Sequence, residues 1–346
     1  MEEFIITAIQ VLGRLWQAID NSPWTQEIIR FATAHGPMQM ILLFLLSSML
    51  MIWRLNAVEQ KGFEGTMVGT LVMPYCSGFA NLAFAFVLGR SGGDGSLVLE
   101  NCIVNNVTNL TLVLGLPALI WGMRLHDRSG DADQRLSFFS LLLSLITLLF
   151  FTGAVWTLAR DGELDFSDGL MLCGLFVFWQ VIHIFEVMKQ NVQKQGGFRP
   201  SVFFDFALAG LGAWACLNSI EGLVDWVTVH GRGWLSLKYL GLVSGGLMVI
   251  PNALLAFYYA ARGRADISYA SQMGDCHICI PLCVGLYALF SPITLPPTFD
   301  TGILVILGAG SVLLVLTALT GRIPRLIGGV LAIGYGIFMV KGLGQI

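Results

Sequence analysis

The sequence predicts an all-α membrane protein: ten transmembrane helices in two inverted five-helix repeats, preceded by an interfacial amphipathic helix. Three observations carry this reading. Of 346 residues, 55% are hydrophobic and 12% charged, with a mean hydropathy of +0.75; such a composition cannot cover a soluble surface. A membrane span needs about twenty mostly apolar residues, and ten such segments can be laid out along the chain. Finally, Gly69-Thr70-Leu71-Val72-Met73-Pro74-Tyr75 is matched 177 positions later by Gly246-Leu247-Met248-Val249-Ile250-Pro251-Asn252. Both read G-x-x-V-x-P followed by a polar residue, and a doubled helix-breaking segment in an apolar chain marks a transporter built from two halves.

Taken in order, residues 1–36 form the N-terminal segment. There Ile5, Ala8, Ile9, Leu12, Leu15, Trp16 and Ile19 recur at helical spacing, with Gln10, Arg14, Gln17 and Asp20 between them. Such a helix lies in the interface rather than crossing it. The acidic start, Met1-Glu2-Glu3, followed by no small-residue cleavage site, predicts no signal peptide. The first repeat, 37–188, holds spans at 37–53, 63–89, 97–123, 136–157 and 166–188, and its motif hairpin is 63–123. A linker, 189–200, is too short for a regulatory domain. The second repeat, 201–346, holds spans at 202–228, 235–261, 268–291, 301–320 and 324–341, with its motif hairpin at 235–291.

Orientation follows from the basic residues. Loops after odd-numbered spans hold Arg54, Lys61, Arg124, Arg128, Arg135, Lys189, Lys194, Arg199, Arg262, Arg264, Arg322 and Arg325, the majority of the 19 Lys and Arg. The positive-inside rule therefore puts those loops in the cytoplasm and both termini outside. Five spans per half is an odd number, so the second half enters the membrane with opposite orientation. A multi-pass protein of a cell membrane, of the cytoplasmic or inner type, is expected.

The duplicated segments are the expected site. A proline inside a helix removes one backbone hydrogen bond and crowds the carbonyl a turn earlier, so Pro74 and Pro251 free carbonyl oxygens near mid-membrane. Near them along the chain stand side chains that are costly in hydrocarbon: Asn81, Glu100, Asn101, Asn105, Asn106, Asn109, Asn252, Gln272, Asp275 and His277. Polar groups at such depth imply function by default. Any single Asn can be interhelical hydrogen-bond glue, but that reading fits poorly a carboxylate and four amides crowded into one span.

The third span, Glu100-Asn101-Cys102-Ile103-Val104-Asn105-Asn106-Val107-Thr108-Asn109 through Gly115, resembles the G-N-x-x-G-S-N-x-x-N-x-x-x-x-x-G element of the calcium/cation antiporter superfamily, to which sodium/calcium exchangers belong. Asn101, Asn106, Asn109 and Gly115 match at their own positions. The second copy is Gly274-Asp275-Cys276-His277-Ile278-Cys279, closed by Gly285. The lead into the seventh span, Leu240-Gly241-Leu242-Val243-Ser244-Gly245-Gly246, is similar as well. The resemblance implies an alternating-access cation antiporter with its site between the second, third, seventh and eighth spans. It also implies a Glu after each motif Pro as the principal calcium ligand, where this chain has Tyr75 and Asn252.

That departure decides the expected ion. Calcium takes 6 to 8 oxygens, usually with carboxylates supplying the neutralising charge. At the matched positions only Asp275 is acidic, with Glu100 as a second candidate. Asp275 beside the neutral oxygens of Tyr75, Asn81, Asn105, Asn106, Asn109 and Asn252 suits one monovalent cation or a proton, and the two would compete for one carboxylate. An alternative substrate is a soft metal: Cys276, Cys279 and Cys283 fall at i, i+3 and i+7 on one helical face, Cys76 and Cys102 lie in the first repeat, and thiolates select soft ions. His277 would add a nitrogen ligand, although it points about 100° away around the helix. The plainer reading of these Cys is small residues that permit close helix packing. A transport-inactive subunit or sensor that keeps the fold is the remaining alternative.

Other candidates are weaker. His183 and Glu186 at i, i+3 suit an interfacial salt bridge, and Asn218, Glu221 and Asp225 form a polar stripe in the sixth span. Ser91-Gly92-Gly93-Asp94-Gly95-Ser96 lacks G-K-[ST] and is no phosphate loop. No nucleophile triad, dinucleotide fingerprint or haem motif occurs, so no enzyme and no cofactor are expected. The partners are an inorganic cation, a coupling ion and the lipid bilayer, with no nucleic acid; a protein partner or oligomer is left open.

Overall fold

The computed structural model describes residues 36–58, 78–125, 132–191, 201–233 and 235–345. Its helices are α1 (Pro37–Val58), α2 (Phe79–Ser91), α3 (Gly95–Trp121), α4 (Ala132–Leu158), α5 (Phe166–Asn191), α6 (Ser201–His230), α7 (Leu237–Ala261), α8 (Ala265–Ala288), α9 (Phe299–Thr320) and α10 (Arg325–Gln345). Among the described residues eight helices, all but α2 and α8, are long and apolar enough to cross a membrane. The expected interfacial helix, most of the linker, and Pro74, Tyr75 and Cys76 lie outside the described residues.

Two of these helices are interrupted by a π-helical turn, Asn109–Val113 in α3 and Ile278–Cys283 in α8. Such turns leave the regular i→i−4 ladder and concentrate at functional sites. In α8 the interruption is sharper: Ile280 leaves helical geometry altogether, at φ −126° and ψ 113°. The cause is Pro281, since the ring of a proline disfavours helical geometry in the residue before it. α7 by contrast stays helical through Pro251, so the backbone break expected there lies in α8 instead.

The turn before α3 is a defined one rather than a loose connector. Gly92 closes α2 with φ +67°, a left-handed conformation that glycine adopts without steric cost. The Asp94 carboxylate then accepts from the backbone N–H of Ser96 at 2.8 Å and caps α3.

α3 is the most enclosed span: 78% of its most apolar stretch is buried, against 22% in α5 and in α10. It packs against α7 through two glycines one turn apart. A Cβ at Gly241 would stand 2.6 Å from Glu100 Oε2, and one at Gly245 would stand 2.6 Å from the Asn101 carbonyl. Small residues four apart let helix backbones approach this closely. The polar side chains of α3 are therefore pressed against α7.

Two short ribbons join distant parts of the chain. β1 (Met123–Arg124), which leaves α3, pairs antiparallel with β4 (Arg322–Ile323), which enters α10. β2 (Glu163–Leu164), which enters α5, pairs with β3 (Ile293–Thr294), which leaves α8. The same helices meet through glycines: a Cβ on Gly115 would lie 2.9 Å from the Gly328 carbonyl, and one on Gly169 would lie 2.8 Å from that of Gly285. Outward faces such as Phe185, Leu304, Leu326 and Val340 are exposed and apolar, the surface that a bilayer covers.

Candidate functional site

Asp275 lies on α8 just before the π turn, fully buried, and α3 presents its amides to it. Asn109 is the central contact. Its Nδ2 donates to Asp275 Oδ2 at 2.7 Å and to Asn105 Oδ1 at 2.8 Å. A carboxylate only accepts hydrogen bonds, so this contact fixes which way the Asn109 amide points. With both N–H groups used, the Asn109 oxygen is turned away from them.

That oxygen has no donor. Asn109 Oδ1, Asn106 Oδ1 and Asp275 Oδ1 are all buried and without a hydrogen-bond partner. Asn106 is tied down by its nitrogen, which donates to the Cys276 carbonyl at 3.3 Å. Asn105 and Asn252 also face the Asp275 carboxylate, the latter from α7. A buried polar atom left unpaired costs about 1–3 kcal/mol, and more when charged. Buried oxygens such as these are satisfied by a cation or by donor hydrogens. Among the described residues, the ion pairs are Arg54 with Asp205 at 3.5 Å and Arg264 with Asp266 at 3.4 Å; neither involves Asp275.

Glu100 stands apart. Thr298 Oγ1 at the start of α9 donates to its Oε1 at 2.9 Å, and its other oxygen lies against Gly241. Nine residues separate it from Asn109, which at the helical rise is about 13 Å. The structure therefore does not bring Glu100 to the Asp275 cluster. Asn101 likewise serves the α3–α7 contact, its Nδ2 donating to Ser244 Oγ at 2.9 Å. An apolar cleft between α1, α2, α6 and α7, lined by Phe44, Phe84, Leu240 and Met248 among others, reaches that serine. Asn81 in α2 is fully buried with neither amide atom partnered.

The sulfur groups are gathered but not as a metal centre. Cys102 of α3 meets Cys279 and Cys283 of α8 thiol to thiol, yet among the described residues no three thiol, imidazole or carboxylate groups are arranged to hold a metal ion. His277 points elsewhere: its Nε2 lies 2.9 Å from the Ser144 carbonyl of α4, and its ring meets Phe151 and Trp179 edge-on. His183 stacks on Trp179, while the Glu186 side chain lies outside the described residues. Asn218 bonds back to the Trp214 carbonyl of its own helix, and Asp225 is exposed.

Sequence reasoning did not single out Pro281, which breaks α8 within two turns of Asp275. Its signal was a proline inside an apolar span.

Known proteins resemble this chain. The family model described as sodium/calcium exchanger protein matches residues 36–185 and 206–341. Among solved structures, the sodium-calcium exchanger NCX_Mj soaked with 2.5 mM Na+ and 10 mM Sr2+ superposes with a TM-score of 0.64 at 18% identity, covering 88% of this chain and 98% of that one. The same exchanger soaked with 10 mM Na+ and zero Ca2+ gives 0.63 at 18% identity, covering 90% and 98%; with zero Na+ and Ca2+ it gives 0.61 at 19%, covering 88% and 98%. No curated protein matches the chain.

Proposed function

As the chain belongs to the sodium/calcium exchanger family, a family of secondary transporters rather than enzymes, we propose that it is an antiporter of a monovalent cation, with protons competing for the same carboxylate. The observation that carries this reading is the charge of the site. One carboxylate, Asp275, faces Asn105, Asn109 and Asn252, with Asn106 bonded to the neighbouring Cys276 carbonyl, and the Oδ1 atoms of Asn106, Asn109 and Asp275 are unpartnered. One negative charge balances one monovalent cation. A calcium ion in the same place would keep an uncompensated positive charge in a medium of low dielectric, which is costly.

The proposed architecture is ten spans in two inverted halves, with both termini on the outer side. In support, α3 and α10 are joined by a ribbon and a close glycine contact, and α8 and α5 are joined by another of each. α8 and α10 each come five helices after α3 and α5, so each joint in one half has its counterpart in the other. The π turns, 109–113 and 278–283, fall at matching points of the two motifs. An odd number of spans per half requires the inverted arrangement.

The test is ion flux into proteoliposomes under sodium, potassium, calcium, zinc and proton gradients, for wild type and Asp275→Asn. Sodium or potassium flux that the substitution abolishes is the expected result. Calcium flux at ordinary rates, or flux indifferent to Asp275→Asn, would remove the reading.

A further inference from the structure

Between Asp275 and the start of α8, the buried side chains of Ser268, Tyr269 and Gln272 have unpartnered polar atoms, and Ser268 and Gln272 share the face of Asp275. Ser268, Gln272 and Asp275 stand at i, i+4 and i+7 on α8, which puts them on one face of the helix. Their Cα atoms rise in steps of about 6 Å and about 4.5 Å. All three are fully buried. Neither Ser268 Oγ nor either atom of the Gln272 amide has a hydrogen-bond partner.

Among the described residues, Ser268 and Thr317 are the buried aliphatic hydroxyls without a hydrogen-bond partner. In membrane helices a serine or threonine ordinarily satisfies itself by donating to the carbonyl three or four residues back. Ser47, Thr108, Thr111, Thr152, Ser219 and Ser244 all do so here. Ser268 does not. A glutamine has a side chain long enough to reach a polar neighbour, and Gln272 reaches none. Interhelical glue is therefore a poor account of either residue, because glue requires the bond to be made.

We propose that Ser268 and Gln272 form a neutral second station for the transported cation, on the Arg264 side of Asp275; this deepens the proposed function and rests on it. Ser268 Oγ and Gln272 Oε1 offer neutral oxygens to a partly dehydrated sodium or potassium ion, and Gln272 Nε2 donates to a water travelling with it. Neutral ligands hold a cation less tightly than Asp275 does. A path needs that gradation, since each site must be favourable enough to enter and weak enough to leave. The exposed Arg264 and Asp266 pair marks the end of α8 from which the stripe begins, so this station serves one membrane face only.

The experiment uses the full chain in oriented proteoliposomes, with sodium and potassium each supplied alone on either face. Gln272→Leu and Ser268→Ala should each raise the half-saturating concentration about tenfold on the face bearing Arg262 to Arg264 and leave the opposite face unchanged. Ser268→Cys should be modified by a charged, membrane-impermeant thiol reagent from that face alone, and saturating cation should slow the reaction. If half-saturation is unchanged on both faces, or if Ser268→Cys reacts from the opposite face or from neither, the second station is overturned. Asp275→Asn separates the two claims: flux lost in Asp275→Asn but unaltered in Gln272→Leu and Ser268→Ala overturns only the station, whereas flux that survives Asp275→Asn overturns the reading on which it rests.

Discussion

Asn109 on α3 donates its side-chain amide to the Asp275 carboxylate on α8 at 2.7 Å, joining two positions 166 residues apart at the buried centre of the molecule. The contact couples the third and eighth helices through the one carboxylate of the site. Removing it tests whether the amides orient that carboxylate. Asn109→Leu deletes a hydrogen bond to a charged group, worth about 1.5–3 kcal/mol. Cation half-saturation in flux assays should rise about tenfold or more, with the protein still folded by thermal unfolding in detergent.

Glu100 provides the contrast. Its carboxyl is held by Thr298 and stands about 13 Å along α3 from Asn109. Glu100→Gln keeps the shape and the acceptor for Thr298, so cation half-saturation should stay within about twofold of wild type. A loss as severe as that of Asp275→Asn would place Glu100 on the ion path.

The glycine contacts make a prediction about stability. Gly115 and Gly328 bring α3 and α10 together, and Gly285 and Gly169 bring α8 and α5 together, with no room for a side chain. Gly328→Leu and Gly169→Leu should each destabilise by about 1–3 kcal/mol through overpacking. Gly336→Leu, where nothing lies within 4 Å, serves as the control. Thermal unfolding of purified protein in detergent reads the difference.

The thiols separate packing from metal transport. Cys279 and Cys283 are fully buried against Cys102. If they only fill space, the double substitution Cys279→Ala and Cys283→Ala costs about 1–2 kcal/mol of stability and leaves sodium or potassium flux intact. Zinc or copper flux in wild type that disappears in this variant would instead support the soft-metal alternative.

Most residues of the Asp275 cluster were legible in the sequence, but not how the buried polar groups divide. Asn105, Asn106, Asn109, Asn252 and Asp275 were all legible as polar groups in apolar spans, because hydrocarbon makes such groups expensive wherever they lie. Glu100 was grouped with them by closeness along the chain; a helix rises about 1.5 Å per residue, so closeness in sequence became distance along the axis. The backbone break was assigned to Pro251 because that proline is repeated. Whether a proline breaks a membrane helix depends on how its neighbours satisfy the freed groups. α7 absorbs Pro251, and α8 breaks at Ile280 before Pro281. Among the described residues, eight of the ten predicted spans fall on helices long and apolar enough to cross a membrane, since a run of about twenty apolar residues is a property of the chain alone. The contacts between the two halves were not, because they depend on which glycines and ribbons meet in space.

The central claim is that one carboxylate binds one monovalent cation in competition with a proton. Its most direct test is proton release from purified protein in weakly buffered detergent solution as sodium or potassium is added. At a pH where Asp275 is protonated, binding should release about one proton per protein, since a metal ion displaces the proton of its ligand, and Asp275→Asn should release none. Release that persists in Asp275→Asn, or release driven by calcium but by neither sodium nor potassium, would contradict the account.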